Sequence, residues 1–556
     1  MRHSAAHGPA RRVTSWCSRV LLSVIGAVIG MTFLGAGAAL AYWATTDSSH
    51  PAQAAAATLS VPTAGTQNGT ATPSTVPVRW TAPAGYTSAG YTVLRCTGSS
   101  CTNFTAIGNG TCGGTISGTS CTDTDTGLSA GTTYSYEVQA HLDNWVSSPS
   151  SSFHAATSTL TQLVFTGQPN SGVNIQATGT GSFAVAVAIE DANGNKATHD
   201  NTDAVTLAIA SGHNPGSGTL SCTGGLTATV SSGVASFTGC AITKAGNGYQ
   251  LTASSGSLAA PGNANSFNIT AGTATHVIAT SGAGQSATAL ATFTNPLVAT
   301  VQDANGNPVP GVSVTFTAPS SGASVTFSAT GCTSNPHTYS CVATTGTNGQ
   351  ATSSAFTAST TLGNNYTINA TATGVGSASF SESNVKTAIT SLVTANGSGG
   401  TVGKIDAGDT ITITFSGQID ASKVCSAWTN GSASTQSASV GSVVSVSNSG
   451  TGGEDFLSFA NAPTACGAFN FGSIDLGSTQ YVTGSGHKSV TFSNSTISYN
   501  GTTHTLVITL GSIGGSGTEN VVPSSALTLN LSFVIVDTGE NSLTSDTYTT
   551  PSGAQF

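Results

Sequence analysis

The feature that most constrains the fold is an alternation of apolar residues with small or polar ones. In SFAVAVAIE (182–190), large apolar residues occupy every second position and alanines lie between them. The stretch GVSVTFT (311–317) follows the same period of two. This period is typical of half-buried β-strands, and no helical period is visible after residue 45. The sequence therefore predicts an all-β chain of tandem β-sandwich domains.

The pentapeptide DANGN occurs at 191–195 and again at 303–307, and it allows two interpretations. One is half of a calcium-binding loop, and the other is a tight turn between strands. A calcium loop of the EF-hand type needs glycine at its sixth position and glutamate at its twelfth. Both copies carry other residues at these positions: Lys196 and Thr202, Pro308 and Val314. Asn and Gly tolerate positive φ at low cost, so we predict turns and no metal site.

Charge and hydropathy indicate an exported chain. Only 6% of the residues are charged and the formal net charge is −9, which argues against nucleic-acid binding. Residues 20–43 contain no charged side chain. A signal-peptide core needs ~7–15 apolar residues and a membrane span ~20, so this run is long enough for either. We predict that 1–45 is a signal peptide or a signal anchor, with membrane contact through this segment if it stays uncleaved.

Ten of the eleven cysteines follow this segment, which suits disulfide bonds in an oxidising compartment. No C-x-x-C occurs and the histidines are scattered, so zinc is not expected. Pairing between sequence neighbours is the preferred connectivity, although four cysteines close together allow three pairings. The predicted bonds are Cys96–Cys101, Cys112–Cys121, Cys222–Cys240, Cys332–Cys341 and Cys425–Cys466.

Residues 57–158 resemble a fibronectin type III domain. The resemblance rests on VPVRWTAPAGYTSAGYTVLR (76–95) and DTGLSAGTTYSYEVQA (125–140). Trp80 matches the core tryptophan of the second strand, and Leu128, Tyr134 and Tyr136 match the tyrosine-corner region. Four cysteines between residues 96 and 121 depart from the family pattern.

Residues 160–271 and 273–385 resemble bacterial immunoglobulin-like domains of the invasin and intimin kind. The second copy carries VQDANGNPVPGVSVTF (301–316) and TGTNGQATSSAFT (345–357). The first copy keeps VAIEDANGN (187–195) but lacks the Pro-Val-Pro-Gly step, so it is a looser relative. The resemblance implies sandwiches of about seven strands that serve as surface spacers.

The remaining segment, 386–556, is predicted to be a larger C-terminal β-sandwich. IDAGDTITITFSGQID (405–420) is similar to a strand of other bacterial immunoglobulin-like surface repeats, over those residues only. The segment follows the two repeats but lacks their pattern, so we expect it to be the binding module. Trp428, next to Asn430 and Gly431 in a predicted loop, is the candidate ligand contact.

Catalytic and cofactor motifs are incomplete, so no catalytic residue, metal or cofactor is predicted. GSGGTVGKI (397–405) approaches a phosphate-binding loop but has Ser398 and Ile405 at positions that need Gly and Ser or Thr. Neighbouring carboxylates could in principle hydrolyse glycosides, but in turns rich in Thr and Gly they are interpreted as solvated loop residues. The pairs concerned are Asp123 with Asp125 and Glu454 with Asp455.

We therefore expect a non-enzymatic protein of the bacterial surface or the extracellular space, a spacer and adhesion module. Its expected ligand is an extracellular glycan, cell-wall material or a protein. One alternative is an accessory protein of extracellular polysaccharide degradation, since fibronectin-like modules accompany secreted hydrolases. Another is a fibre or matrix subunit, because GAALAYWATT (37–46) resembles export signals of bacterial camelysin and biofilm-fibre proteins.

Overall fold

The computed structural model describes most of the chain after residue 54. The described residues are 39–43, 54–84, 90–177, 181–332, 338–439, 442–447, 455–459, 466, 472–483, 488–522, 525–531, 535–543, 545, 547–551 and 556. They divide into two compact units. Unit 1 consists of 1–161, 189–201 and 231–233, and unit 2 of 162–188, 202–230 and 234–556. Within the described part, the one α-helix is Ala421–Val424, and Gly110–Cys112 forms a 3-10 turn.

Unit 1 contains a hairpin and two antiparallel sheets. The hairpin pairs Ala39–Trp43 with Ala54–Thr58. One sheet has the order Thr63–Gln67, Val76–Thr81, Ser120–Asp123. The other has the order Phe153–Ala156, Thr133–Leu142, Gly90–Thr97, Thr105–Ala106, with Trp145–Val146 on the second of these strands.

The core of unit 1 carries the residues that the fibronectin type III resemblance singled out. Trp80 is buried and packs edge-on against Tyr91, with ring centroids 5.4 Å apart. The hydroxyl of buried Tyr134 accepts the Ser129 N–H (2.7 Å) and donates to the Gly127 carbonyl (3.3 Å). This hydrogen bonding back to an upstream segment is the tyrosine-corner arrangement.

Unit 2 begins with three sheets between residues 162 and 270. The first sheet has the order Gln162–Gly167, Phe183–Glu190, Val234–Ile242, Leu220–Thr223. The second has the order Asn174–Gln176, Phe267–Thr270, Gly246–Tyr249. The third has the order Thr227–Thr229, Ala204–Ile209, Leu251–Ser254. In the strand Phe183–Glu190, Val185, Val187 and Ile189 are buried as the alternation predicts, but Ala188 is buried as well and Phe183 is only partly buried.

Three further sheets lie between residues 274 and 385. The first sheet has the order Ala274–Ser281, Val298–Asp303, Gln350–Thr352. The second has the order Ser286–Thr288, Gly376–Val385, Gly363–Ala372, Ser313–Thr317, Ser340–Thr344. The third pairs Val325–Phe327 with Phe356–Ala358. Apolar residues of these strands form one buried cluster that includes Phe316, Phe356 and Phe380.

The C-terminal segment contains two main sheets, one of which, with seven strands, is the largest among the described residues. A five-stranded sheet has the order Ile389–Ala395, Thr410–Phe415, Thr505–Thr509, Thr496–Asn500, Thr435–Ser439. A seven-stranded sheet has the order Ser512–Gly515, Ser489–Ser493, Ser442–Ser447, Phe456–Phe459, Gly472–Asp475, Thr528–Asn530, Thr547–Thr549. Val482–Thr483 pairs with Thr518–Glu519. These strands share a single core cluster, and the all-β prediction is confirmed.

Five disulfide bonds join the cysteines that follow the N-terminal segment. They link Cys96–Cys101, Cys112–Cys121, Cys222–Cys240, Cys332–Cys341 and Cys425–Cys466. All are local, since the longest joins residues 41 positions apart. Each local bond restricts the unfolded chain and stabilises the fold by roughly 2–3 kcal/mol.

Both DANGN copies form turns. The Gly194 N–H donates to the Asp191 carbonyl (3.1 Å), and Gly306 repeats the bond to Asp303 (3.0 Å). Only the glycines use the left-handed region, with φ of +80° and +74°. Burial acts to raise the pKa of both aspartates, but hydrogen bonds from the backbone and side chains of the loop outweigh it, so both pKa values are lowered. The carboxylates are thus ionised and already bonded within the loop.

Calcium is expected to leave the stability of the chain almost unchanged. Each loop carboxylate accepts hydrogen bonds from its own loop, and the described residues contain no group of three His, Cys, Asp or Glu side chains arranged to hold a metal. Thermal melts at saturating calcium and with chelator should agree within about 2 °C. A calcium-induced rise of many degrees would restore the calcium-loop interpretation.

The predicted export segment, 1–45, lies outside the described residues except for the strand Ala39–Trp43. In the part of the chain that is described, no helix is both long and apolar enough to span a bilayer.

Candidate functional site

A loop at one end of the C-terminal segment is ordered around a buried carboxylate. Asp409 is fully buried, and it accepts the N–H groups of Gly397 (2.8 Å) and Asp406 (2.7 Å). Burial raises the pKa of Asp409, and these backbone donors offset part of the rise. The residue therefore holds both ends of the loop 396–409 together immediately before the strand Thr410–Phe415.

Asn396 connects this anchor to the tip of the loop. With its amide oriented to satisfy both neighbours, its nitrogen donates to Asp409 Oδ1 (3.1 Å) and its oxygen accepts the Val402 N–H (2.7 Å). The backbone of Val402 is thus fixed while its side chain stays 59% exposed.

Gly403 joins the loop to a second segment. Its carbonyl accepts the Val522 N–H (2.8 Å), and its own N–H donates to the Phe556 carbonyl (2.7 Å). Its φ is +87°, and a Cβ atom there would lie 2.8 Å from the Val522 carbonyl oxygen and 3.1 Å from Val521 Cγ1. Only glycine meets both requirements. The close approach places Val521, which is also 59% exposed, against Gly403, the residue that follows Val402.

Charged side chains border the two valines. Lys404 Nζ lies 3.3 Å from Asp406 Oδ1 and 3.5 Å from Glu519 Oε2. Partial burial lowers the pKa of Lys404, but these two carboxylates outweigh it and the pKa is raised overall. In a chain with 6% charged residues, a three-charge cluster close in sequence to Val402 and Val521, the two large apolar residues with the highest exposure in the described part of the chain, forms a distinct surface. We call Val402, Val521, Lys404, Asp406 and Glu519 the valine tip.

The valine tip lies at the end of its sandwich that faces away from residues 273–385. The loop precedes the strand Thr410–Phe415, whereas Gly417, just beyond the other end of that strand, packs against the side chain of Thr288. The loop that carries Val402 and the contact with Thr288 are thus at opposite ends of the strand Thr410–Phe415.

Trp428, predicted as an exposed ligand contact, is buried instead. Its side chain is 6% exposed and belongs to the C-terminal core. The Trp428 backbone N–H donates to the Cys425 carbonyl (2.9 Å), and a disulfide bond ties Cys425 to Cys466, 41 positions further along the chain. The disulfide and the turn hold the indole against the core, so the prediction of exposure is wrong.

Of the four carboxylates interpreted as solvated, Asp123 and Asp455 are buried, and Asp125 is 22% exposed. Asp123 is fully buried and lies 3.0 Å from Arg95 Nη1, and it also accepts the Tyr136 hydroxyl (2.9 Å). Asp455 is fully buried and accepts the Val482 N–H (3.0 Å), with its pKa raised by burial. Glu454 lies outside the described residues. Each buried carboxylate has a structural partner, which the local sequence did not indicate.

The glycine-rich stretch 397–405 does not form a phosphate-binding loop. No helix follows it, and Ile405 is 2% exposed within the C-terminal core. The same stretch supplies Val402 of the valine tip. The one sequence signal for this site is Val402 itself, a branched apolar residue inside a loop of Gly, Ser and Thr. Val521, the other apolar residue of the valine tip, is too far away in sequence for a local pattern to connect the two.

The sheets define an all-β protein of tandem immunoglobulin-like and fibronectin-like sandwiches. No sequence-family profile and no curated protein matches the chain. Among solved structures it is similar to the Escherichia coli adhesin FdeC (16% identity, 70% of this chain and 95% of that chain, TM-score 0.25). It is also similar to the Yersinia pseudotuberculosis adhesin InvE (17%, 40% and 58%, 0.19) and to the FN1–FN3 domains of chicken CNTN1 (12%, 58% and 98%, 0.18). Likenesses at these TM-scores do not establish a shared function.

Proposed function

We propose that this chain is a non-enzymatic extracellular or cell-surface protein whose C-terminal segment, 386–556, binds a ligand through the valine tip. Val402 and Val521, both 59% exposed, lie on two segments that the hydrogen bond between Gly403 and Val522 joins, and this arrangement is the observation that carries the proposal. The five disulfide bonds support a location outside the cytoplasm, where such bonds persist.

The chemistry of the valine tip suits a protein or peptide ligand. Protein interfaces have an apolar centre surrounded by a polar and charged border. Val402 and Val521 supply such a centre, and Lys404 with its two carboxylates supplies one side of the border. Because one cation and two carboxylates leave this border with an excess of negative charge, it would favour a basic group on the ligand.

Binding by the full chain tests the proposal on a panel of extracellular-matrix proteins, purified cell walls and glycans. Val402→Asp and Val521→Asp place a charge at the apolar centre, so each should weaken binding at least about tenfold. Because both side chains are exposed, neither change should alter thermal stability by more than about 1 °C.

Val393→Asp is the matched control. Val393 is 53% exposed on the strand Ile389–Ala395 of the same sandwich, outside the valine tip, and this variant should bind like the wild type. Unchanged binding in both tip variants would place the ligand site elsewhere. Release of soluble products from the glycans would instead support a role in polysaccharide degradation, and regular filaments of the purified chain would support a fibre subunit.

A further inference from the structure

Three loops of this chain share one hydrogen-bond pattern, D-x-x-x-N. They are 191–195, 303–307 and 537–541, each beginning at an aspartate that is at most 1% exposed. In each loop the aspartate Oδ1 accepts the N–H groups two and four residues further on, at 2.8–2.9 Å. The asparagine at the fifth position also donates its side-chain amide to the same carboxylate.

The third loop, 537–541, cannot be recognised as a repeat of the other two from its sequence. Its sequence is DTGEN, which shares only the first and last residues with DANGN, and it lies in the segment that departs from the repeats. Because the pattern needs only a carboxylate, two backbone N–H groups and one amide, the three middle residues are free to vary.

The loop 303–307 bonds to residues of the preceding segment, 160–271, inside unit 2. Lys244 Nζ donates to the Asn305 carbonyl (2.6 Å), and the Asn305 amide donates to the Ala177 carbonyl (3.2 Å). The Asn307 side chain accepts the Ala245 N–H and donates to the Thr243 carbonyl, each at 2.9 Å. These bonds use the polar groups that the loop's own pattern leaves available.

The linker between the two segments is bonded as well. The Gly272 N–H donates to Asp303 Oδ2 at 2.8 Å, in a buried position. The same relation recurs in unit 1, where the Ser158 hydroxyl donates to Asp191 Oδ2 at 2.6 Å. Oδ1 of each aspartate thus binds the backbone of its own loop, whereas Oδ2 binds both the amide of the loop asparagine and the incoming chain.

The loop 537–541 repeats the arrangement against residues 273–385. The Asn541 amide donates to the Thr360 carbonyl (2.9 Å), and the Thr538 hydroxyl donates to the Ala289 carbonyl (3.4 Å). Gly539 lies so close that a Cβ atom there would be 3.0 Å from Ala289 Cβ. Two successive junctions of unit 2, at the loops 303–307 and 537–541, therefore have the same kind of loop bonded to the preceding segment.

We propose that the D-x-x-x-N loop is a recurrent brace that stiffens the junctions between successive sandwiches of unit 2. Domains within one chain move relative to each other unless their interface holds them. Since each aspartate already orders its loop, the contacts to the preceding segment form without a further ordering cost. The brace needs no metal ion. It stands independently of the valine tip, because it rests on different residues.

The test measures a distance across the first of these junctions in the full chain. Spin labels are introduced as non-natural amino acids at Thr206 and Thr371, which are exposed and lie on either side of the junction, so that all disulfide bonds stay intact. Electron-electron double resonance then gives the distribution of label separations. The wild type should give one narrow distribution.

The double variant Lys244→Met/Asn305→Ala removes two bonds across the junction and leaves the bonds to Asp303 in place. Asp303→Ala removes the loop pattern and the linker bond together. We expect both to broaden the distribution, Asp303→Ala by about twofold. The control Lys423→Met, on the helix Ala421–Val424 away from the junction, should leave it narrow.

Two results would overturn the brace. One is a wild-type distribution as broad as that of Asp303→Ala. The other is a narrow distribution in the Lys244→Met/Asn305→Ala variant, which decides the matter even if Asp303→Ala fails to fold.

Discussion

Arg95→Met is expected to destabilise the fibronectin-like sandwich of unit 1 by about 3–5 kcal/mol, because it leaves a buried carboxylate without its cation. Arg95 Nη1 lies 3.0 Å from Asp123, which is fully buried. The guanidinium also lies 5.3 Å from the centre of the Tyr134 ring, a favourable cation–π distance. Burial, and then the Asp123 carboxylate, raise the pKa of Tyr136, so its hydroxyl remains a donor to Asp123.

Hydrogen exchange of the strand Thr133–Leu142 is the appropriate measurement, since this strand is paired on both sides. A global melt of a chain with several sandwiches does not report one transition. Asp125→Asn is the matched control: Asp125 lies 3.2 Å from Arg95 Nη2 but is 22% exposed, so its loss should cost about 1 kcal/mol or less. Protection in Arg95→Met equal to that in Asp125→Asn would contradict the prediction.

A second large effect concerns pH and the sandwich formed by residues 274–385. Glu382 is 1% exposed, and its Oε2 accepts the Gln285 N–H (2.9 Å). Burial raises the pKa of Glu382 from 4.5 to about 7, although the Gln285 N–H acts to lower it. A raised pKa favours the protonated form in the folded state. The resulting stability is complete below pH 4.5 and is lost as the pH rises through about 7.

The wild type is therefore expected to lose about 2–3 kcal/mol in this sandwich between pH 5 and pH 9 through Glu382. Exchange of the Gly363–Ala372 amides, corrected for the intrinsic pH dependence, measures the loss. Glu382→Gln keeps an acceptor for the Gln285 N–H and cannot ionise, so the difference between the two chains isolates this residue from the histidines. Equal pH dependence in both chains would show that Glu382 does not ionise over this range.

The candidate site shows the limit of local reasoning. The loop 396–409 was visible as a glycine-rich stretch, but Val402 becomes part of a surface only through Val521. The surface depends on the hydrogen bond between Gly403 and Val522, which joins the loop 396–409 to a segment more than a hundred residues further along the chain. The prediction that Trp428 is exposed was wrong for the same reason. The residues around Trp428 do not indicate whether their loop is exposed or is held against the core by the bond between Cys425 and Cys466.

The sequence by itself determined the strands, the turns at DANGN and the identity of the core aromatics Trp80 and Tyr134, because period-two patterning, glycine conformation and side-chain burial act over a few residues. Tertiary structure alone decided the partner of Asp123, the burial of Trp428, the valine tip and the likeness of DTGEN to DANGN. These depend on which distant segments meet, and a hydrogen bond or an apolar contact across a long chain separation leaves no local pattern in either segment.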